Sequence, residues 1–433
     1  MKSSDVVVGL DIGSSQIRLV VATKEENRWR VLSVSKNACT GLRKGVVVNI
    51  EDTAVAINKA VETAERVAGV PVERAIINIG GSHVLAHPAR SKISVSRPDG
   101  EVGPEDVNRA ISTAESIISR ENFANREIIH VVPKSFSLDN QSDIPDPIGM
   151  NGSSLELDAL IITGSTPFIR NLGKCVNQAG IEIEDVVASP LAAAQAVLNR
   201  RQKELGVALI NIGMGTTDLA VYEEDQLIFT SSLPIGAGHI TNDIAIVLKT
   251  SIEVAEKVKL EYGFAVSKDI SAKKEINLSK ISKSEEGNIK AKEIAEIIEA
   301  RMEEIFRLIN KELKKIKRDG MLPAGVVFTG GGAKLPGIVD LAKKILLLPA
   351  QIGFPVKMEG MSESLDDPAF AVVVGLLLSV NQEKIRSGGN IWEKVKGAIS
   401  VGLPFSLPAK GKGFSDSSQT VDKIKEWFKT FLP

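Results

Sequence analysis

Cysteine is scarce in this sequence. The chain contains two, Cys39 and Cys175, and their spacing matches no metal-binding or redox motif. A secreted scaffold held together by disulfides is therefore excluded. We expect both residues to be plain thiols in a reducing compartment, buried as small hydrophobic side chains.

Histidine and excess charge are also lacking. The four histidines, His83, His87, His130 and His239, are scattered without the spacing of metal ligands, so we predict no zinc or iron site. Lysine and arginine total 53 against 54 aspartate and glutamate residues, which leaves a formal net charge of -1. Because positive and negative side chains are almost equal in number, the protein has no general attraction for nucleic acid, and we expect no nucleic acid partner.

Long apolar runs are absent as well. The longest, FAVVVGLLLSV at Phe370 to Val380, is shorter than the roughly 17 residues needed to span a bilayer. The N-terminal MKSSDVVVGLDIG reaches an aspartate too early for a signal or transit peptide. We expect a cytoplasmic chain that does not cross a membrane.

What the sequence does contain is material for a large globular protein. Its 433 residues are 43% hydrophobic and 25% charged, which are ordinary values for a globular chain. A chain of this length has room for about two to four domains with buried cores. Disordered and fibrous classes are excluded.

Two segments of the sequence are similar to each other, which indicates a duplication. VGLDIGSSQIRLVVA and ALINIGMGTTDLAVY align without a gap, so that Leu19 matches Leu219. Each has an apolar strand, a turn of small residues and a second strand, which predicts a β-hairpin. The turns, Gly13 to Ser15 and Gly213 to Thr217, present backbone N–H groups and hydroxyls suited to phosphate. One such turn is weak evidence, but two equivalent turns favour a duplicated fold with a phosphate site.

A second pair of turns follows the hairpins. AIINIGGSHV at Ala75 to Val84 and GVVFTGGGAKLPG at Gly325 to Gly337 both run from an apolar strand into consecutive glycines. We expect Gly330 to Gly332 to open a helix, IVDLAKKILLLP, and to let a ring or ribose lie against bare backbone. The alternative is a strand-to-helix connection that needs glycine only for its backbone angles.

Taken in order, LDIGSS, NIGMGTTD, ASPLAAA and TGGGA resemble the nucleotide pocket of the actin, sugar-kinase and heat-shock-chaperone ATPase superfamily. The resemblance implies an α/β, actin-like duplicated ATPase fold whose two lobes close on ATP and Mg²⁺. The phosphate residues that it implies are Asp11, Gly13, Ser14, Ser15, Asn211, Gly213, Met214, Gly215, Thr216 and Thr217. The adenosine residues that it implies are Gly330, Gly331, Gly332 and Ala333.

Two further segments resemble parts of the same pocket. IEVAEKVKLEYG is similar to the A-E-x-x-K helix of the bacterial actin MreB, which implies that Glu256 and Lys259 lie near the ribose and base. PIGAGHITNDIA resembles another phosphate-side turn and implies contacts from Gly236 and Gly238, although Ala237 stands where that turn has a glycine.

Within the superfamily, the chain resembles the FtsA family of bacterial division proteins over nearly its whole length. GPEDVNRAISTAESI and REIIHVVPKSFSLDN are similar to subdomain 1C, which FtsA carries in place of the extra subdomain of actin. The implied division is subdomain 1A of lobe 1 at 1-83 and 163-204, 1C at 84-162, 2A of lobe 2 at 205-245 and 319-380, 2B at 246-318, a flexible linker at 381-417 and an amphipathic helix at 418-433.

Two positions depart from the hydrolytic members of the superfamily. Asn211 stands where an aspartate usually organises Mg²⁺ and water, and Ser189 stands where chaperone-like and MreB-like members carry a glutamate. Phosphoryl transfer to water depends on positioned charge, and general-base assistance alone contributes about 10²–10⁴-fold. ATP is therefore expected to be mainly a structural ligand that is hydrolysed slowly. Asp11 is the expected Mg²⁺ partner through water, and Asp218, expected to begin a strand, is an alternative acid.

The C-terminal segment has the pattern of a tethered amphipathic helix. Residues 381-417 are rich in Gly, Ser, Pro and Lys, which predicts a flexible linker. In SQTVDKIKEWFKTFLP the large apolar residues share one side at about 3.6 residues per turn. We expect this helix to lie on an anionic membrane surface, and docking on the protein's own body or on a partner helix is the alternative. The predicted membrane residues are Val421, Ile424, Trp427, Phe428, Phe431 and Leu432.

The resemblance to FtsA also implies partners and a location at the division septum, on the cytoplasmic face of the cell membrane. The C-terminal peptide of the tubulin-like division protein FtsZ would bind the long helix expected from Ile289 to Lys317, at Arg301 and Glu304. The chain would assemble into filaments, which multiply a weak single anchor, and would recruit later division proteins through 1C. Two alternatives stay open, an ATPase or phosphotransferase of the same fold and an assembly adaptor similar to PilM.

Overall fold

The computed structural model describes residues 6-25, 28-120, 125-283, 285-360, 362-380 and 386-387. By its contacts the chain divides into Met1–Trp392 and Glu393–Pro433, and every described residue belongs to the first unit. The predicted amphipathic helix, all of its proposed membrane residues and nearly all of the predicted linker lie outside the described residues.

Strands and helices alternate along the described part of the chain. The strands are β1 (Val6–Ile12), β2 (Gln16–Glu25), β3 (Arg28–Ala38), β4 (Leu42–Arg43), β5 (Val46–Val47), β6 (Arg74–Ile79), β7 (Leu85–Ser94), β8 (Arg126–Leu138), β9 (Gln141–Ile144), β10 (Ser154–Ser165), β11 (Glu182–Ala188), β12 (Val207–Ile212), β13 (Thr217–Glu223), β14 (Gln226–Leu233), β15 (Glu275–Asn277), β16 (Asn288–Lys290), β17 (Val326–Thr329), β18 (Ala350–Ile352), β19 (Glu359–Gly360) and β20 (Arg386–Ser387). The helices are α1 (Ile50–Ala68), α2 (Pro104–Arg120), α3 (Thr166–Gln178), α4 (Ser189–Val197), α5 (Arg200–Leu205), α6 (Ala237–Leu248), α7 (Ile252–Tyr262), α8 (Ala291–Lys315), α9 (Ile338–Leu346) and α10 (Ala371–Ser379).

Two of the sheets have the same strand order, and each forms the centre of one lobe. The sheet of lobe 1 runs β11-β6-β1-β2-β3 with β19 at its edge, and the sheet of lobe 2 runs β18-β17-β12-β13-β14. In each, an antiparallel three-stranded meander is flanked by two parallel strands. The predicted duplication and both predicted hairpins, β1-β2 and β12-β13, are confirmed.

Helices α4 and α10 pack on each other; α4 also contacts strands of both sheets, and α10 contacts strands of the lobe 1 sheet. All residues from Ala371 to Leu377 are buried, so the longest apolar run of the sequence is a core helix. The two helices meet so closely that a Cβ on Gly375 would lie 1.7 Å from the carbonyl oxygen of Ala192. None of the helices in the described part of the chain is long and apolar enough to cross a membrane.

Between β6 and β11 the chain leaves the sheet of lobe 1 and forms a separate layer, which we call the insert (residues 85-165). Its sheet has the order β8-β10-β7, with β9 paired to β8 and with β20, from outside the insert, added at the β8 edge. Helix α2 packs on this sheet over an apolar core. The buried Asp106 in the first turn of α2 accepts hydrogen bonds from the N–H groups of Ser96 and Gly103. These bonds and the Arg109 guanidinium hold the pKa of Asp106 well below its usual range, against the opposing effect of desolvation.

The outer part of lobe 2 consists of α7, the β15-β16 hairpin and the 25-residue helix α8. The buried face of α8 contributes Ile298, Met302 and Phe306 to the core of lobe 2. The helix is shorter than the predicted range at both ends: Ile289 and Lys290 belong to strand β16 and pair with β15, and the helix ends at Lys315. Cys39 and Cys175 are both buried, as predicted.

We expected the glycine run after β17 to open a helix, and this prediction is wrong. Gly331–Lys334 forms a 3-10 turn, and α9 begins only at Ile338. Gly330 and Gly337 have φ values of 83° and 81°, a left-handed backbone that glycine tolerates and that no continuous helix contains. The run is therefore a compact double turn between strand and helix.

Candidate functional site

A cleft opens where the turns of the two equivalent hairpins approach each other. A Cβ on Gly215 in the second turn would lie 3.0 Å from the Ser14 hydroxyl oxygen in the first. The cleft holds about 700 Å³ of open space, solvent at its mouth included. The predicted site residues that line it are Asp11, Gly13, Ser14, Ser15, Asn211, Gly213, Met214, Gly215, Thr216, Gly330 and Gly331.

Gly236 and Gly238 support the second turn from behind. A Cβ on Gly236 would lie 2.5 Å from the carbonyl oxygen of Gly213, and the Gly238 N–H donates to the carbonyl oxygen of Met214 at 2.8 Å. No larger residue than glycine fits at Gly236 without moving this backbone. The start of α6 is thus fastened to the turn.

Three further predicted residues pack near the cleft, of which Thr217 and Ala333 are buried and Gly332 is half-buried. The Thr217 hydroxyl donates to the carbonyl oxygen of Ile235 at 2.8 Å. Gly332 packs on Ile212, where a Cβ would lie 2.4 Å from the Ile212 Cγ2 atom, and Ala333 is fully buried. None of the three is among the residues that line the cleft.

Glu256 and Lys259 form a polar network between α7 and the start of α6. Lys259 Nζ donates to Glu256 Oε2 at 2.6 Å and to Thr241 Oγ1 at 2.8 Å. It also reaches the carbonyl oxygen of Ala237 at 3.4 Å. Lys259 is only 8% exposed, so its charge is compensated within the protein.

The floor of the cleft is a buried hydrogen-bond network around Asn78, which the sequence reasoning missed. Asn78 Nδ2 donates to Asp11 Oδ1 at 2.9 Å and to Ser189 Oγ at 3.1 Å, while Asn78 Oδ1 accepts the Ile12 N–H at 2.7 Å. The Ser189 hydroxyl donates in turn to the carbonyl oxygen of Ile79 at 3.0 Å. The equivalence of the two strand-to-glycine segments was the signal that could have found Asn78, which lies just before the glycines of the first segment.

Arg18 is a cation in the lining that the sequence reasoning also missed. Its Nη1 lies 3.5 Å from Asp11 Oδ2, and its Nη2 donates to Gln16 Oε1 at 2.9 Å. The guanidinium lies over the Phe370 ring, 5.6 Å from its centroid, and its buried Nε has no partner within the described residues. The hairpin register could have found it, because Arg18 lies directly opposite Asp11.

Asp218 both belongs to strand β13, as expected, and lines the cleft. Its carboxylate accepts hydrogen bonds from Ser232 Oγ at 2.5 Å and from Asn211 Nδ2 at 3.2 Å. Burial raises the pKa of Asp218 to about 6, with a smaller contribution from the negative charge of Asp11. Burial also raises the pKa of Asp11 to about 6, and Arg18 opposes this rise.

Equivalent positions of the two hairpins therefore carry different charges. In the first hairpin Asp11 lies opposite Arg18, and in the second Asn211 lies opposite Asp218. The cleft thus contains two buried carboxyl groups and one half-buried guanidinium. Buried charges in this arrangement favour a ligand that carries both a cation and anionic groups.

These residues fit a magnesium nucleotide. Mg²⁺ usually keeps several waters and binds one or two carboxylates together with phosphate oxygens, which matches Asp11 and Asp218. The unpartnered Nε of Arg18 and the glycine-rich turns offer donors to phosphate. A Cβ on Gly331 would meet no described atom within 4 Å, so this bare backbone faces the open cleft.

The predicted partner-binding residues lie apart from the cleft lining, on α8. Arg301 forms a two-pronged ion pair with Asp243 of α6, with Nε–Oδ2 and Nη2–Oδ1 distances of 2.6 and 2.7 Å. It also donates to Glu304, one turn further along α8. These partners raise the pKa of Arg301 further, so its charge is permanent.

The similarity to known proteins covers both the duplicated lobes and the insert. A family model described as cell division protein FtsA matches residues 208–375, and one described as the SHS2 domain inserted in FtsA matches residues 81–163. The cell division protein FtsA of Pseudomonas aeruginosa is 33% identical over 379 residues, which cover 87% of this chain and 90% of that protein. The chain belongs to the FtsA family. FtsA of Borreliella burgdorferi is 34% identical over 432 residues, which cover 98% of this chain and 100% of that protein.

Solved structures show the fold that FtsA shares with other actin-like proteins. A PilM–PilN type IV pilus biogenesis complex matches with a TM-score of 0.62 at 16% identity, covering 86% of this chain and 98% of that chain. MreB 5 of Spiroplasma citri bound to AMPPNP matches with a TM-score of 0.51 at 14% identity, covering 93% and 100%. The predicted actin-like fold with an FtsA-type insertion is confirmed, and membership of the FtsA family makes this a cell division protein.

Proposed function

We propose that this FtsA-family protein binds ATP with Mg²⁺ in the cleft and that the nucleotide holds the two lobes together. The observation that carries the proposal is the pair of equivalent glycine and hydroxyl turns facing each other across a cleft that contains two buried acids and a half-buried guanidinium. The AMPPNP named with the MreB structure of the same fold supports it. A ligand that touches both turns favours the closed arrangement by mass action.

We assign the roles of individual residues as follows. The turn N–H groups and the hydroxyls of Ser14, Ser15 and Thr216 face the phosphates, and Arg18 adds a positive charge. Asp11 is the Mg²⁺ partner through water, with Asp218 as a second acid on the opposite hairpin. When bound, Mg²⁺ neutralises charge on the phosphates. The residues proposed for the adenosine side are Gly330, Gly331, Gly332, Ala333, Glu256 and Lys259, of which Gly330 and Gly331 line the cleft.

Hydrolysis is proposed to be slow. Ser189 and Asn211, at the two positions that depart from the hydrolytic pattern, are engaged with Asn78 and Asp218. Neither side chain is an anion that could order Mg²⁺ or accept a proton from water. Turnover on the order of tens per second would contradict this reading.

The wider proposal is an adaptor that tethers the FtsZ division ring to the cytoplasmic face of the cell membrane. The C-terminal helix at 418-433 would bind anionic lipid, and rows of nucleotide-bound subunits would multiply that weak attachment. The acidic C-terminal peptide of FtsZ would bind on α8 at Arg301 and Glu304, and later division proteins would bind the insert. Family membership supports these roles.

A vesicle pelleting experiment tests the anchor. The full chain, a truncation ending at Asn381 and the variant Trp427→Lys are sedimented with anionic vesicles, with and without MgATP. We expect the full chain alone to pellet strongly, and more so with MgATP. Because Trp427→Lys removes apolar surface while adding positive charge, its loss of pelleting separates insertion from simple charge attraction. Equal pelleting of full and truncated chains would overturn the anchor.

A further inference from the structure

His130 of β8 is a buried residue that connects the insert to lobe 1 by a hydrogen bond. Its Nε2 accepts a hydrogen bond from the Ala188 N–H at 3.0 Å, and the side chain belongs to a residue that is only 1% exposed. Burial lowers the pKa of His130 to about 4, so the imidazole is neutral near pH 7. It is the acceptor for the amide at the N-cap position of α4.

The other ring nitrogen of His130 shows that placing a histidine here costs folding stability. Because Nε2 accepts, the neutral ring carries its proton on Nδ1, and Nδ1 is buried without a hydrogen-bond partner among the described residues. An unpaired buried donor destabilises the fold. An aliphatic side chain would avoid that cost, so the Ala188 contact is what a histidine supplies at this position.

The contact continues into the floor of the cleft. Ala188 is followed directly by Ser189, whose Oγ accepts from Asn78 Nδ2, and the same Nδ2 donates to Asp11 Oδ1. The exposed fractions of Asp11, Asn78, Ser189 and His130 are all 6% or less. A buried polar chain thus runs from the phosphate turn of lobe 1, through the first turn of α4, to the insert.

The hydrogen bonds of the Asn78 side chain depend on one another, so a change in one affects the others. Both hydrogens of its Nδ2 are in use, and its Oδ1 holds the Ile12 N–H at 2.7 Å. A cation or phosphate that redirects the Asp11 carboxylate must therefore shift Asn78 or break one of its bonds. In a low-dielectric interior such a change is not absorbed by water.

We propose that this polar chain couples nucleotide occupancy of the cleft to the stability of the insert, with His130 as the positioning residue at its far end. The inference rests on the proposed nucleotide binding. Coupling between two sites is reciprocal, so a variant that uncouples the insert must also change nucleotide affinity by the same factor.

A second contact between the insert and lobe 1 is separate from this polar chain of hydrogen bonds. Arg126 Nη2 donates to the carbonyl oxygens of His83 at 2.6 Å and Thr163 at 3.0 Å, where the chain enters and leaves the insert. Neither partner lines the cleft. This clamp therefore fixes the insert in either nucleotide state, whereas the His130 contact joins the insert to the floor of the cleft.

The test is hydrogen exchange by mass spectrometry on the full chain with and without MgATP. Wild type should show slower exchange in both phosphate turns and also in β8 and β10 of the insert, by about fivefold or more. In His130→Leu the turns should still be protected, while the insert should differ by less than about twofold between nucleotide states, and the Kd for MgATP should rise by the lost factor. His130→Gln, whose side-chain oxygen can accept from Ala188, should restore the coupling.

Ser91→Ala is the matched control, because it removes a buried hydrogen bond of 2.7 Å to Ala110 within the insert without touching the chain. It should leave the nucleotide effect on β8 and β10 intact. If His130→Leu does not fold, Ser189→Ala breaks the chain nearer the cleft and must give the same uncoupling. Protection of the turns with no effect on the insert in wild type, or an insert effect that survives in both broken variants, would overturn the coupling. Absence of protection in the turns themselves would remove the proposed nucleotide binding, and the coupling with it.

Discussion

The Asn78 amide donates a 2.9 Å hydrogen bond to the carboxylate of Asp11, joining two parallel strands at the floor of the cleft. Both residues are buried, at 6% and 5% exposure. Asp11 therefore depends for its orientation on a residue far away in the sequence. Substitutions at Asn78 should affect both the stability of lobe 1 and the cleft.

Asn78→Ala should destabilise the protein by about 2–4 kcal/mol, because it leaves the Ile12 N–H and a buried carboxyl oxygen without a partner. Urea unfolding measures the change. Asn37→Ala is the matched control. The half-buried Asn37 amide donates to the carbonyl oxygens of Ala38 and Ala56, and its loss should cost less than about 1 kcal/mol. Equal destabilisation by the two variants would argue against a special role for Asn78.

Arg18→Met should weaken MgATP binding by about tenfold or more, because a charge-assisted bond to phosphate contributes about 1.5–3 kcal/mol. Isothermal titration with MgATP measures the loss, and AMP, which lacks the outer phosphates, should show little change. Lys24→Met on the same strand is the control, since Lys24 lies over the Trp29 ring. A loss of similar size for AMP would mean that Arg18 does not act on the phosphates.

The hairpins were predictable because each is a local pattern of apolar strands around a short turn, and the alignment of Gly13 with Gly213 supplied the duplication. The floor of the cleft was not predictable, because Asn78 meets Asp11 and Ser189 only after strands distant in sequence pair and α4 packs against them. Local patterns also cannot predict the 3-10 turn after Gly330, where tertiary packing against Ile212 decides the backbone.

A similar limit applies to charged residues that the sequence suggests as ligands. Glu256 and Lys259 are one helical turn apart, a spacing that suits a ligand and an internal ion pair equally well. The structure adds Thr241 from another helix to this pair. Arg301 likewise has Asp243 as a partner from a helix that no local pattern connects to it.

Histidine burial predicts a pH dependence of stability. The pKa of His130 is lowered from 6.5 to about 4, so the unfolded chain takes up its proton first as the pH falls. The contribution of His130 is complete above pH 6.5 and is lost progressively towards pH 4, by about 2 kcal/mol at pH 5. The raised pKa values of Asp11 and Asp218 act in the opposite direction between about 6 and 3.8, so the wild-type curve alone does not isolate this term.

The comparison with His130→Gln isolates it. The difference in unfolding free energy between wild type and variant, measured in urea at pH 7.5 and pH 5, should shift by about 2 kcal/mol in favour of the variant at the lower pH. A difference that stays constant across this range would show that His130 is not held neutral by the fold.

The face of α8 offers a separate test of partner binding. Arg301→Ala should weaken binding of an acidic FtsZ C-terminal peptide by about tenfold or more, because the proposed charge-assisted contact between the guanidinium and an acidic group of the peptide is lost. Arg307→Ala is the control on the same helix, since Arg307 is 71% exposed and pairs only with Glu303 among the ion pairs of the described residues. Fluorescence anisotropy of a labelled peptide reports both. Equal losses would indicate general charge attraction rather than a site at Arg301.

Alanine substitutions at the adjacent residues Gly330 and Gly331 distinguish an effect on folding from an effect on nucleotide binding. Gly330 has φ 83°, and a Cβ there would lie 2.4 Å from Asn211 Oδ1, so Gly330→Ala should destabilise lobe 2 by about 2 kcal/mol or more. Gly331 has no such restriction, and its Cβ would point into the open cleft. Gly331→Ala should therefore unfold at the wild-type urea concentration and yet bind MgATP about tenfold more weakly, because the added methyl group occupies the surface proposed for the adenosine. Wild-type affinity in Gly331→Ala would place the adenosine elsewhere in the cleft.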